Sequence, residues 1–283
     1  MQRAVRHYSF ADGRTLELGE RTRIMGILNV TPDSFSDGGK WNDVDRALFH
    51  MQEMVRDGAD VIDLGAESTR PGCVPMAAEE EMERIAPFLE SLLRECPVPV
   101  SVDTFKPETA ELAASMGVHI LNDIWGFQYA EGWGEMARVA AKYDLPVIVM
   151  HNQHTAEYQG DIVEAMRLFF RESLQLADLA GLKRENVILD AGIGFGKTAE
   201  MNLHVLRRLS ELAEIDGERY PMLLGASRKS FMGAVLGLPV EERMEATGAV
   251  CVLGIQSGCS ILRVHDVKQI ARMARMADAV LEA

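Results

Sequence analysis

Carboxylates, amides and cations recur in this sequence at or just after short apolar runs. They are Asn29, Asp63, Asp103, Asn122–Asp123, His151, Asp190, Ser227–Arg228–Lys229 and Arg263–His265. A carboxylate facing a heterocycle with adjacent N–H donors accepts two hydrogen bonds, and an amide supplies one donor and one acceptor. Asp103, Asn122 and Asp190 therefore suit a pterin- or guanine-like edge. Arg263 and His265 stand two apart, so they point the same way from an extended strand. With Lys229 and the helix expected to begin near Ser230, they make a site for an anion such as phosphate. Any single Asp or Asn among these also serves as an ordinary cap or turn residue. Eight polar ends on eight apolar runs point to a site.

Two long loops flank these positions. Asn29–Gly39 and Gly65–Gly72 are rich in Gly, Pro and small hydroxyl residues, a composition that suits lids able to hydrogen-bond a ligand. The run Asp190–Thr198 tests two nucleotide motifs and fails both. A P-loop needs Gly where Ala191 stands, and Lys197 occupies the last glycine of GxGxxG. A glycine-rich turn that lets backbone approach a flat ligand, with Phe195 available to stack, stays open. His151-x-x-His154 has no matching third ligand, so it reads as loop rather than metal site.

The apolar runs are Ile24–Val30, Asp60–Leu64, Val98–Asp103, Val118–Asn122, Pro146–Met150, Val187–Asp190, Met222–Gly225 and Ser260–Val264. Each is too short for a helix and rich in Val, Ile or Leu, as in strands buried on both faces. Between them lie helical stretches, among them Val44–Asp57, Ala78–Glu95, Pro107–Met116, Ile162–Ala180 and Val267–Leu281. Alternating strands and helices demand a parallel sheet, and eight strands fit a (β/α)8 TIM barrel, whose active site lies at the C-terminal strand ends. Val5–Arg21, with Asp12-Gly13 between alternating residues, reads as a short N-terminal β-hairpin closing the barrel bottom. The expected organisation is one domain over 1–283, with the hairpin in 1–22 and the barrel in 23–283.

Composition narrows the partners. The 283 residues are 47% hydrophobic and 25% charged, within the range of soluble globular chains. Lys and Arg number 29 against 43 Asp and Glu, a net charge of −14 that disfavours nucleic acid and anionic membranes. Cys73, Cys96, Cys251 and Cys259 have no CxxC spacing, which suits a reducing cytoplasm. No signal peptide or membrane span is visible.

At these residues the chain resembles dihydropteroate synthases, which belong to the pterin-binding barrels. The resemblance is carried by MGILNVTPDSFSDGG (25–39), ESTRPG (67–72), SVDTFKPE (101–108), LLGASRKSF (223–231) and RVHDV (263–267). It implies a homodimeric transferase that joins p-aminobenzoate to 6-hydroxymethyl-7,8-dihydropterin diphosphate and releases pyrophosphate, with Mg²⁺. By matching position it assigns Asp103, Asn122, Asp190 and Lys229 to the pterin, with Arg263 stacked on it. Asn29 would take Mg²⁺, and Asn29, Arg263 and His265 the diphosphate. Thr69, Arg70, Pro71, Phe195, Ser227 and Ser230 match p-aminobenzoate and loop positions. Asp63 would end its strand near the leaving group, and Asp63, Lys229, Arg263 and His265 would be catalytic. Ala66 and Ala191 depart from the family's usual Gly and Pro without removing a functional group. A methyltetrahydrofolate–corrinoid methyltransferase would have no use for the diphosphate cations, and a non-catalytic pterin-binding barrel none for the leaving-group set.

Overall fold

The computed structural model describes residues 3–30, 40–67, 76–129 and 132–283, side chains of 40–42 excepted. The chain opens with a hairpin, β1 (Arg6–Ser9) against β2 (Thr15–Leu18). Alternation places Tyr8, Leu16 and Leu18 on one buried face while Glu17 and Thr15 face water. The barrel strands are β3 (Arg23–Asn29), β4 (Val61–Gly65), β5 (Val100–Asp103), β6 (Ile120–Asp123), β7 (Val147–Met150) and β8 (Val187–Asp190). After β8 comes a two-residue-per-strand hairpin, β9 (Glu214–Ile215) and β10 (Glu218–Arg219), and then β11 (Met222–Leu224) and β12 (Ile261–Val264). Strands β3 to β8, β11 and β12 close a parallel barrel in which β12 pairs back onto β3.

Helices wrap the outside: α1 (Lys40–Asp57), α2 (Ala78–Glu95), α3 (Pro107–Met116), α4 (Glu135–Tyr143), α5 (Ile162–Ala180), α6 (Ala199–Arg207), α7 (Ser230–Leu236), α8 (Met244–Gln256) and α9 (Val267–Glu282). Their ends follow local chemistry. Pro107 opens α3, and Asp161 caps α5 by accepting from the backbone N–H of Val163 and Glu164. Gly117 and Gly181 close α3 and α5 in the left-handed conformation, φ 97° and 77°.

Strand β8 has its sequence-based bounds, and the other barrel strands differ from theirs by one or two residues. Prolines 97 and 99 have no N–H to donate, so β5 starts at Val100 although the Pro99 carbonyl accepts from Ile62 N at 3.0 Å, and Gly65 and Asp123 extend their strands by one residue. The gain at β4 matters. Asp63 does not end its strand but lies two residues inside it, 0% exposed.

Inward-facing positions alternate along every strand and stack in layers. The lower layer is Met25, Val61, Ile120, Ile148, Ile188, Leu223 and Ile261, packed with Tyr8, Leu16 and Leu18 of the hairpin. The hairpin thus plugs the barrel bottom. It is fastened by the Tyr8 hydroxyl donating to the Glu185 carbonyl at 2.8 Å. Two residues further along the same faces stand Asp63, Asn122, Asp190 and Arg263, with Asn29 and Asp103 at the ends of their strands.

Candidate active site at the strand ends

The register across β3, β4, β5 and β6 sets Asn29 beside Gly65, Gly65 beside Asp103, and Asp103 beside Asn122. A side chain at Gly65 would place its Cβ 3.3 Å from Asn29 Oδ1 and 3.7 Å from Asp103 Cβ, so glycine keeps that part of the mouth open. The guanidinium of Arg263 reaches across the barrel. Its Nε donates to Asp63 at 2.6 Å and its Nη2 to Asp103 at 2.6 Å. Asn122 donates to the same Asp63 oxygen at 3.1 Å. Asp63 Oδ1 and Asp103 Oδ1 are buried with no hydrogen-bond partner, two orphaned acceptors at one mouth.

An apolar layer beneath these groups makes charge costly. Burial raises the Asp103 pKa, with Asp63 and Glu81 pushing the same way against Arg263 and Lys229. Burial likewise raises Asp190, whose Oδ1 accepts from Gly192 N at 2.9 Å. Burial would lower Arg263, but Asp63 and Asp103 outweigh it and carry Arg263 above its ordinary range.

Opposite these acids the Lys229 ammonium lies 3.9 Å from the centre of the Phe195 ring, a cation–π contact. Phe195 stands under that ammonium, on a turn whose Gly192, Gly194 and Gly196 all have positive φ. The close approaches of this turn are to protein rather than open space. A Cβ on Gly192 would sit 1.9 Å from the His151 carbonyl, and one on Gly194 would sit 2.9 Å from Lys229 Cδ. Ser227 is buried, and its Oγ meets His265 Nδ1 at 3.0 Å on the exposed rim. Ser230 is exposed at the start of α7, and Arg228 is paired with Asp266 at 2.9 Å. Thr69, Arg70 and Pro71, with most of both proposed lids, lie outside the described residues.

The strand-end reading therefore brings Asn29, Asp63, Asp103, Asn122, Asp190, Phe195, Ser227, Lys229, Arg263 and His265 to one mouth. It missed two groups. Lys106 is buried and pairs with both Glu67 and Glu81, at 3.0 Å to the latter. Glu67 Oε1 also accepts from Met76 N at 3.0 Å. Their signal was the Glu67 and Lys106 that stand in the quoted motifs without a role. The other is Lys197, passed over when the glycine run failed as a nucleotide loop. Burial lowers it to about 7, helped by Lys229 and opposed by Asp190. His151 is buried beside it, and the His154 ring packs tilted against Trp125, centres 4.5 Å apart. Among the described residues no cluster of three or more His, Cys, Asp or Glu is placed to hold a metal.

A family model described as pterin binding enzyme matches residues 25–265. The dihydropteroate synthase of Bacillus subtilis strain 168 is 51% identical over 266 residues, 94% of this chain and 91% of that protein. This chain belongs to the dihydropteroate synthase family. The synthase of Clostridium beijerinckii is 48% identical, covering 95% of this chain and 97% of its own. Among solved structures, the dihydropteroate synthase of Clostridium difficile in the presence of pteroic acid superposes with a TM-score of 0.90 at 48% identity. It covers 95% of this chain and 100% of that one. The Xanthomonas albilineans enzyme with 4-aminobenzoic acid gives a TM-score of 0.90 at 36% identity, over 99% and 100% of the two chains.

Proposed function

We propose that this protein is a transferase that forms 7,8-dihydropteroate from 6-hydroxymethyl-7,8-dihydropterin diphosphate and p-aminobenzoate in folate synthesis. The aryl nitrogen bonds to the pterin methylene carbon and loses a proton. The C–O bond to the diphosphate breaks, and pyrophosphate leaves with the electron pair. The single observation that carries this reading is the juxtaposition of carboxylates and cations over an apolar floor, Asp63 and Asp103 bridged by one guanidinium.

Each residue has a task in this reading. Asp103, Asn122 and Asp190 hold the pterin ring, and the orphaned oxygen of Asp103 is an acceptor for its N–H edge. Positive charge spreads into the ring as the C–O bond breaks, and these fixed acids stabilise it. Lys229 also meets the pterin. Arg263 lies along the ring and, with His265, faces the diphosphate. Asp63, buried and accepting from both Arg263 and Asn122, acts in catalysis by orienting the Arg263 guanidinium. Phe195, Ser227, Ser230, Thr69, Arg70 and Pro71 receive p-aminobenzoate. The aryl amine is neutral at pH 7, so no strong general base is needed.

The donor set fits Mg²⁺ of one kind. Asn29 offers a neutral oxygen, and no acidic cage stands among the described residues. That suits an ion bound through one protein oxygen and the substrate's own phosphates. Mg²⁺ would neutralise charge on the departing pyrophosphate.

The enzyme acts as one barrel domain, 23–283, covered below by the hairpin in 1–22. It works in the cytoplasm on small molecules, without nucleic acid or membrane as partner. In the described residues no helix is long and apolar enough to cross a membrane. A homodimer is favoured by exposed Val252 and Leu253 on α8 with Met276, Val280 and Leu281 on α9. Sedimentation at micromolar concentration should give twice the chain mass of 31.3 kDa, and a monomer would end that part. The test of function is incubation with both substrates and Mg²⁺. One dihydropteroate per pyrophosphate is expected, and pterin binding without product would reduce the protein to a binder.

A further inference from the structure

The turn that carries Phe195 is fastened from beneath by Lys197. The Lys197 Nζ donates to the Gly192 carbonyl at 3.0 Å, the Phe195 carbonyl at 3.0 Å and His151 Nδ1 at 2.9 Å. Burial lowers Lys197 to about 7; while protonated, it has three protons and accepts nothing, so each proton has one acceptor. His151 Nδ1 must then offer its lone pair, which puts the neutral imidazole's proton on Nε2. Buried His151 is held neutral, burial and the Lys197 charge both lowering its pKa well below the usual value.

Two of the three acceptors bracket the segment that presents the Phe195 ring. Other fastenings hold the ends: Tyr158 donates to the Gly196 carbonyl at 2.8 Å, and Gly194 N donates to Asn202 Oδ1 at 2.7 Å. The turn is also pressed onto backbone, since a Cβ on Gly196 would lie 2.6 Å from the Gln153 carbonyl. Lys197 does not need to meet a ligand to matter. Its head group is spent on the turn, while the Phe195 ring faces the mouth under Lys229.

We propose that Lys197 is a positioning residue for the aromatic amine: it fixes the Phe195 ring through the carbonyls of Gly192 and Phe195. The inference rests on the reading above in which Phe195 receives p-aminobenzoate. Its rival is a purely electrostatic role, because Lys197 also lowers Asp190 through space. That role would show in pterin binding instead.

Three variants separate these cases: Lys197→Met, Phe195→Ala and the double variant. Lys197→Met should raise the KM for p-aminobenzoate about tenfold, with the KM for the dihydropterin diphosphate changed less than about threefold. Hydrogen exchange of peptide 192–198 should quicken while the barrel strands keep their protection. The double variant should be no worse than Phe195→Ala within about threefold, since both act through one ring. Additive losses, unchanged exchange at 192–198, or an equal rise in the pterin KM would each overturn the proposal. An unchanged p-aminobenzoate KM in Phe195→Ala would instead sink the reading of Phe195, and the inference with it. Should Lys197→Met not fold, Lys197→Gln, whose shorter amide offers two donors in place of three and no charge, is held to the same outcomes.

Discussion

The two halves of the barrel interior are built from the same inward-facing rows and differ in what stands on them. Below, Met25, Val61, Ile120, Ile148, Ile188, Leu223 and Ile261 meet the hairpin and exclude water. Above, two residues along the same strands, Asp63, Asn122, Asp190 and Arg263 face one another. The lower layer makes the upper one reactive. By denying water to the carboxylates it raises Asp103 and Asp190 and makes Arg263 indispensable as their counter-charge.

Arg263→Ala should break the upper half hardest, leaving Asp63 and Asp103 buried without their cation. Turnover is expected to fall by about 10²–10³-fold, with the chain still melting cooperatively. Steady-state kinetics beside a melting curve checks this, and near-normal turnover would remove Arg263 from the chemistry. Leu18→Ala strikes the lower half. Leu18 is 0% exposed, so the cavity should cost about 2–5 kcal/mol in urea unfolding while turnover per folded molecule stays the same. A large loss of turnover there would mean that the plug shapes the site directly.

The pH dependence distinguishes the halves more finely. Burial raises Asp190 in the folded state, whereas the unfolded chain releases that proton near pH 4. The folded state therefore holds more protons above pH 4, and the stability linked to this group falls as pH rises. Asp190→Asn should flatten that fall of stability above pH 4, read from urea unfolding across a pH series. An unchanged slope would show the carboxylate to be as well solvated as in the unfolded chain. The smallest effect is expected from Tyr8→Phe, which removes the bond to the Glu185 carbonyl for about 1 kcal/mol and leaves turnover unaltered.

Much of this was legible in the sequence because strands buried on both faces announce themselves as short Val, Ile and Leu runs. Residues that end such runs must gather at one rim of a parallel barrel. Depth was not legible. Asp63 looked like a strand end, and only the register with β3 and β5 shows it to be interior. Nor was the pairing of Arg263 with Asp63, 200 positions apart, since spacing along the chain says nothing of contact across a barrel. The net charge of −14 likewise says nothing of where the acids stand. Acids are not confined to the outer helices, because Asp63, Asp103 and Asp190 stand among the mouth cations. The site is balanced rather than positive. Helices α4 and α6 were not singled out in the sequence, and the hairpin of β9 and β10 has two residues per strand, too few for a periodic signal.

The most direct measurement sets Asp190→Asn beside Ile120→Val in one assay of dihydropteroate and pyrophosphate, with both substrates and Mg²⁺ supplied. Ile120→Val should cost about 0.5–1.5 kcal/mol of stability and keep turnover within about twofold of the parent. Asp190→Asn should stay folded and lose about a hundredfold or more in turnover. Equal turnover in the two variants, or no dihydropteroate from the parent protein, would contradict the assignment of chemistry to the upper layer.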